Sequence, residues 1–185
     1  MHRILFTLVL LLAGCASGGG FAQKSTVQVQ SRGMNSVILL ANCSTIVCTS
    51  GFANEGEIWM TDIPIDELTQ GNSPDGQIIH LQLLWTPVAG KTPLASTSTN
   101  LAIKHIIIAD GEVGVYGGGG YCWPKGSPSS GMRLDIEEAT IALQNRSSSR
   151  FIDLLTPATM TGELTSRPDA ITARQIATAA RRIAP

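Results

Sequence analysis

Gln77-Ile78-Ile79-His80-Leu81-Gln82-Leu83-Leu84-Trp85 decides the fold class. Ile79, Leu81, Leu83 and Trp85 fall at every second position and share one face of an extended chain, with Ile78, His80, Gln82 and Leu84 on the other. A helix would instead need apolar residues three and four apart. Pro87 takes the next position of the apolar face and has no N–H for a ladder, so the strand ends there.

The same period of two extends outward from this segment. Thr26–Gln30, Val37–Ala41, Glu57–Ile63 and Leu101–Ile108 read as strands, and Asp110-Gly111 is a hairpin turn leading into Glu112–Tyr116. Met132–Leu143 reads as a long strand whose apolar positions Leu134, Ile136, Ala139 and Ile141 slip phase, which predicts a bulge near Glu137-Glu138. Phe151–Leu155 and Thr159–Leu164 read as the last two strands, and Asp66–Gly71 as one helical turn with a glycine stop. Near the end, Ala173, Ile176, Ala180 and Ile183 form a helical stripe, placing a helix at about 168–183. We therefore expect a mainly β fold: a single antiparallel β-sandwich or barrel-like domain over residues 26–185. It should have about seven or eight strands and one C-terminal α-helix.

The first residues carry a different pattern. Arg3 precedes the apolar run Ile4, Leu5, Phe6 and Leu8–Leu12, which is too short to span a bilayer as a mature helix. Leu12-Ala13-Gly14-Cys15 then resembles the lipobox of bacterial lipoproteins. The resemblance covers residues 1–15 only. It implies a signal peptide at 1–14, a lipid on Cys15, and a cell-envelope protein anchored at the outer-membrane or periplasmic face. Gly20-Phe21-Ala22 offers an ordinary secretory cut as an alternative, which would release a free chain. Residues 15–25, rich in glycine, read as a flexible tether.

Composition narrows the partners. The whole chain has 13 basic and 14 acidic side chains, a net charge of −1, and loss of Arg3 with the signal makes it −2. This balance excludes nucleic acid, whose phosphates are met by clustered Lys and Arg. No general electrostatic attraction to a membrane is expected either, so attachment falls to the lipid.

With Cys15 acylated, Cys43, Cys48 and Cys122 remain. Cys43 and Cys48 are close enough to bridge across a tight loop, although an offset of five puts them on opposite faces of a regular strand. Pairing of either with Cys122 is equally allowed. Cys-x4-Cys has no matching second half for zinc, so neither a metal nor a cofactor is expected.

Catalysis near neutral pH needs a base. His105 shares a strand face with Leu101, Ile103 and Ile107 and reads as a buried, hydrogen-bonded residue. His80, beside Gln82, is the better candidate, and Asp135 with Glu137 forms a carboxylate pair on one strand face. No Gly-x-Ser-x-Gly elbow presents a serine.

The most unusual segment is Gly114–Pro124, with four glycines between Tyr116 and Tyr121-Cys122-Trp123. It lacks the Lys-Ser/Thr ending and following helix of a phosphate loop. Gly117–Gly120 should break regular structure, either so that the chain turns and Trp123 plugs the open end of the core, or to leave a mobile loop on which Tyr116, Tyr121 and Trp123, the best binding candidates, stack on a sugar ring or dock a partner. The function expected is thus non-enzymatic: a lipid-anchored domain that binds an envelope protein or polymer, or fills a structural place. An envelope hydrolase using His80 or Asp135/Glu137 is the alternative.

Overall fold

A computed structural model describes residues 23–33, 37–51, 55–71, 74–92 and 98–184. Cys15, the signal segment and the tether up to residue 22 lie outside the described residues. Among the described residues ten strands appear: β1 (Lys24–Ser25), β2 (Gln28–Ser31), β3 (Ile38–Leu40), β4 (Thr45–Ser50), β5 (Gly56–Thr61), β6 (Gly76–Leu83), β7 (Leu101–Ala109), β8 (Glu112–Ser127), β9 (Gly131–Arg146) and β10 (Ala158–Pro168). Two helices join them, α1 (Ile65–Gln70) and α2 (Ala170–Ile183).

The mainly β domain with a C-terminal helix is what the alternation predicts, and of the two architectures it is the barrel-like one. From β4 through β9 each strand pairs antiparallel with the next, and β9 then pairs along most of β10. Closure is completed where Arg167 and Pro168 of β10 meet Val47 and Cys48 of β4 in parallel. β1, β2 and β3 flank β10 as a short annex on the outside of this seam. Lys24 and Ser25, expected in the tether, are thus already held by Thr165 and Leu164. Residues 23–184 supply all of these elements.

Alternation sorts the apolar side chains into two cores. Ile79, Leu81 and Leu83 of β6 join Ile58, Met60, Leu101, Ile103, Leu134 and Leu164 inside the barrel. Ile78, Trp59, Val47, Ile106 and Ile108 project outward, where Ala173, Ile176, Ala179 and Ala180 of α2 and Leu68 of α1 cover them. The small alanines bring α2 close to the sheet. Its first turn is capped by Asp169, whose carboxylate accepts from the Thr172 backbone N–H at 3.0 Å and from its hydroxyl at 2.8 Å. These bonds and nearby Arg167 hold the Asp169 carboxyl below its usual range. The stop of α1 is also as the sequence indicates, with Gly71 left-handed at φ 90°.

Two local expectations fail. Gly117–Gly120 do not break structure but run through the middle of β8, hydrogen-bonded to β7 and β9. The strands approach so closely here that a Cβ on Gly118 would overlap the Thr140 carbonyl oxygen, and one on Gly120 would overlap that of Glu138. Phe151–Leu155 is irregular rather than a strand, because Asp153 turns inward and caps the Leu155 and Thr156 N–H groups, each at 3.0 Å. Thr45–Ser50, unassigned from the sequence, is β4. The bulge at Glu137-Glu138 is present: Tyr121 pairs with Glu138 and Cys122 with Ile136, leaving Glu137 as the extra residue.

Gly118→Ala should therefore cost about 2–3 kcal/mol in unfolding free energy, measured by urea denaturation, because the methyl meets backbone that cannot rotate away.

Candidate functional site

β8 carries the site. Cys122 points into the barrel core, so its neighbours Tyr121 and Trp123 project from the outer face, each half-buried. Trp85, just past the end of β6, joins them. Tyr121 and Trp123 meet edge to face with centroids 5.1 Å apart, and Trp85 lies tilted at 6.3 Å from Tyr121. Both indole N–H groups are engaged within the protein: Trp85 Nε1 donates to the Thr99 carbonyl at 2.9 Å and Trp123 Nε1 to Glu137 Oε1 at 3.1 Å. The Tyr121 hydroxyl is enclosed and has no hydrogen-bond partner. The bulge at Glu137 aims that carboxylate at Trp123, while Asp135 lies opposite Trp123 in register.

Glu137 also borders a polar groove of about 540 Å³ formed with Gln30, Ser31, Arg32, Glu138, Thr159 and Thr161. Arg32 pairs with Glu138 and with the Thr159 hydroxyl, which fixes its guanidinium across the groove. The groove therefore offers hydroxyl, amide, carboxylate and guanidinium groups next to three aromatic rings.

Of the sequence-based binding residues, the fold brings Tyr121 and Trp123 together and removes Tyr116. Tyr116 is fully buried within the barrel. Its hydroxyl donates to Asp153 Oδ1 at 2.9 Å, and its ring meets Phe151 edge-on. Burial and the Asp153 carboxylate push this phenol well above its ordinary range. Trp85 replaces it. The sequence placed Trp85 on the inner face of its strand, but β6 stops at Leu83 and releases the ring.

His80 and the Asp135/Glu137 pair occupy separate places. His80 stacks on Trp59 with centroids 4.0 Å apart and planes 11° apart, and its Nε2 lies 3.6 Å from Glu57 Oε2, beyond hydrogen-bond distance. Burial lowers its pKa, opposed by Glu57 and aided by Lys104. Lys104 in turn donates to the Ala184 carbonyl at 3.1 Å, so this cluster sits under the end of α2.

His105 is buried, as its strand face implies. Its Nε2 faces Gln77 Oε1 at 3.0 Å, and the Gln77 amide nitrogen donates to the Leu40 carbonyl at 3.1 Å and Asp62 Oδ2 at 3.2 Å. With the amide so fixed, Oε1 is the acceptor and Nε2 carries the proton. Nδ1 has no partner.

The three cysteines among the described residues are free thiols, so the bridge considered for Cys43 and Cys48 is not formed. Cys48 points into the barrel from β4 whereas Cys43 lies in the preceding turn. Burial pushes Cys43 and Cys122 up to about 12, which keeps both as thiols. Among the described residues no group of His, Cys, Asp and Glu is arranged to hold a metal ion, and no helix is long and apolar enough to cross a membrane.

No family model, curated protein or solved structure matches the chain.

His105 makes stability depend on pH. Its pKa falls from 6.5 to about 4 on burial. Between those values the unfolded chain binds the extra proton, so stability should fall as pH drops from about 6.5 to about 4, by about 3 kcal/mol in all. Urea titrations across this range should show the loss, and His105→Gln should flatten the profile whatever its absolute stability. His80 acts in the same direction and is present in both chains.

Proposed function

We propose that this chain is an exported, lipid-anchored envelope protein whose barrel binds a polyhydroxylated envelope polymer without catalysis. The observation that carries the reading is the cluster Trp85–Tyr121–Trp123 on the outer face of the barrel, set beside the groove of Arg32, Glu137 and Glu138. Ring faces take the C–H surfaces of sugar rings. The polar groups alongside supply both donors and acceptors for hydroxyls. Both indole N–H groups already have partners, so the tryptophans contribute apolar surface rather than hydrogen bonds. The anchor rests on the Leu12-Ala13-Gly14-Cys15 pattern.

Titration of intrinsic tryptophan fluorescence with polysaccharide purified from the envelope tests the site. Trp123→Ala and Trp85→Ala should each weaken binding at least tenfold, the size of effect expected for a central aromatic anchor. His80→Asn should bind as the parent does. Equal affinity in all three variants would remove the aromatic cluster from the reading.

Mass spectrometry of the mature N-terminus tests the anchor independently. An acylated Cys15 is expected, and an unmodified chain beginning at Gln23 refutes it.

A further inference from the structure

α2 is amphipathic in an uneven way. Ala173, Ile176, Ala179 and Ala180 are buried against the barrel, while Ile171, Arg174, Gln175, Thr178, Arg181 and Arg182 are exposed. At 100° per residue these six fall within about a third of the helix circumference. No residue of α2 is acidic. Arg182 donates to the Leu68 carbonyl at 2.9 Å and Arg181 reaches the Thr178 hydroxyl at 3.5 Å, so both guanidiniums stay on this face. Arg174 has no ion pair among the described residues. The helix packed against α2, α1, carries Asp66 and Glu67 in its first turn. Asp169 is matched by Arg167 at 3.1 Å, and Glu57 of β5 faces His80. A chain that is net acidic therefore concentrates three arginines on one exposed face. Ile171, 75% exposed, stands at its start.

The direction of the N-terminal strand bears on what meets that face. Lys24 pairs with Thr165 and Ser25 with Leu164, so the first described strand lies on β10 close before the start of α2 at Ala170. The segment from Gln23 back to Cys15 spans at most about 28 Å when extended. If Cys15 is acylated, the lipid layer lies within that reach of Gln23.

We propose that the exposed face of α2 lies on an anionic headgroup layer and fixes the orientation of the anchored domain. The argument from reach rests on the anchored reading above; the charge complementarity does not. The stripe holds one large apolar side chain, too little to insert deeply, so α2 orients the domain while the lipid retains it. Each arginine near an anionic surface contributes about fivefold in affinity.

The chain from Gln23 onward, which holds every strand and helix described above, isolates the helix from the lipid. Sedimentation with vesicles of equimolar phosphatidylcholine and phosphatidylglycerol should capture it, vesicles of phosphatidylcholine alone should not, and rising salt should release it. The double variant Arg174→Gln/Arg181→Gln, both positions exposed, should lose about 25-fold in affinity. Equal capture on both vesicle types, no capture on either, or an unaffected double variant would overturn the proposal. Failure here with an acylated Cys15 in the mature chain sinks the α2 reading and leaves the anchor standing.

Discussion

Strand β10 is the seam on which the rest of the molecule depends. It pairs with β9 along one side, and along the other with β2, then β1, then β4. One strand can serve four partners only by bending. The bend occurs at Gly162, at φ 121°, where an added Cβ would lie 2.5 Å from the Thr26 carbonyl oxygen. The ladder to β9 shifts register between Met160 and Gly162. After Pro168 the direction changes: the Asp169 N–H goes to the Cys48 carbonyl at 3.1 Å while its side chain begins α2. Sheet closure and helix docking are consequences of the same few residues.

Closure divides the wall of the barrel into two regions. β4 to β7 carry apolar residues on both faces, and α1 and α2 cover those on the outside. Across β8, β9, β10 and β2 neither helix covers the outer face. A continuous backbone register Gln82–Ala102–Gly119–Thr140–Thr159–Gln30 runs over this wall. Its side chains are small or uncharged, and glycine contributes none. The aromatic cluster and the Arg32–Glu138 groove rise from this low surface, while the His80 cluster belongs to the helix-covered side.

What the sequence made legible follows from local physics. Alternation in Gln77–Leu83 is strict because both cores lie within one strand's reach. The phase slip at Glu137-Glu138 is visible because Leu134, Ile136, Ala139 and Ile141 all need the interior. Asp110-Gly111 is a turn wherever it occurs between such strands. The remainder was hidden for equally physical reasons. Four consecutive glycines have poor strand propensity, yet they are what close packing of β7, β8 and β9 demands, so tertiary contact overrode propensity. Thr45–Ser50 has apolar residues on both faces and no alternation to read. Tyr116 and Tyr121 flank the glycines symmetrically in sequence. They separate to opposite faces because an even number of residues, the four glycines, lies between them along the strand.

That correction strengthens the case for the site rather than weakening it. On a mobile glycine loop, Tyr121 and Trp123 would be ordered only on binding, at a cost of about 0.5–1.5 kcal/mol for each side chain immobilised. On β8 their backbones are paired with β9, at Glu138 and Asp135, and Cys122 between them is tied on the other side by the Asn100 amide. Trp123 is held by Glu137, Trp85 by Thr99, and Tyr121 is wedged between the two rings. The glycines supply closeness instead of freedom: they let β8 press against its neighbours, and the rigid wall then presents its aromatic rings already in place. A scaffold of this kind selects ligands by the shape and hydrogen bonding of a surface that does not rearrange.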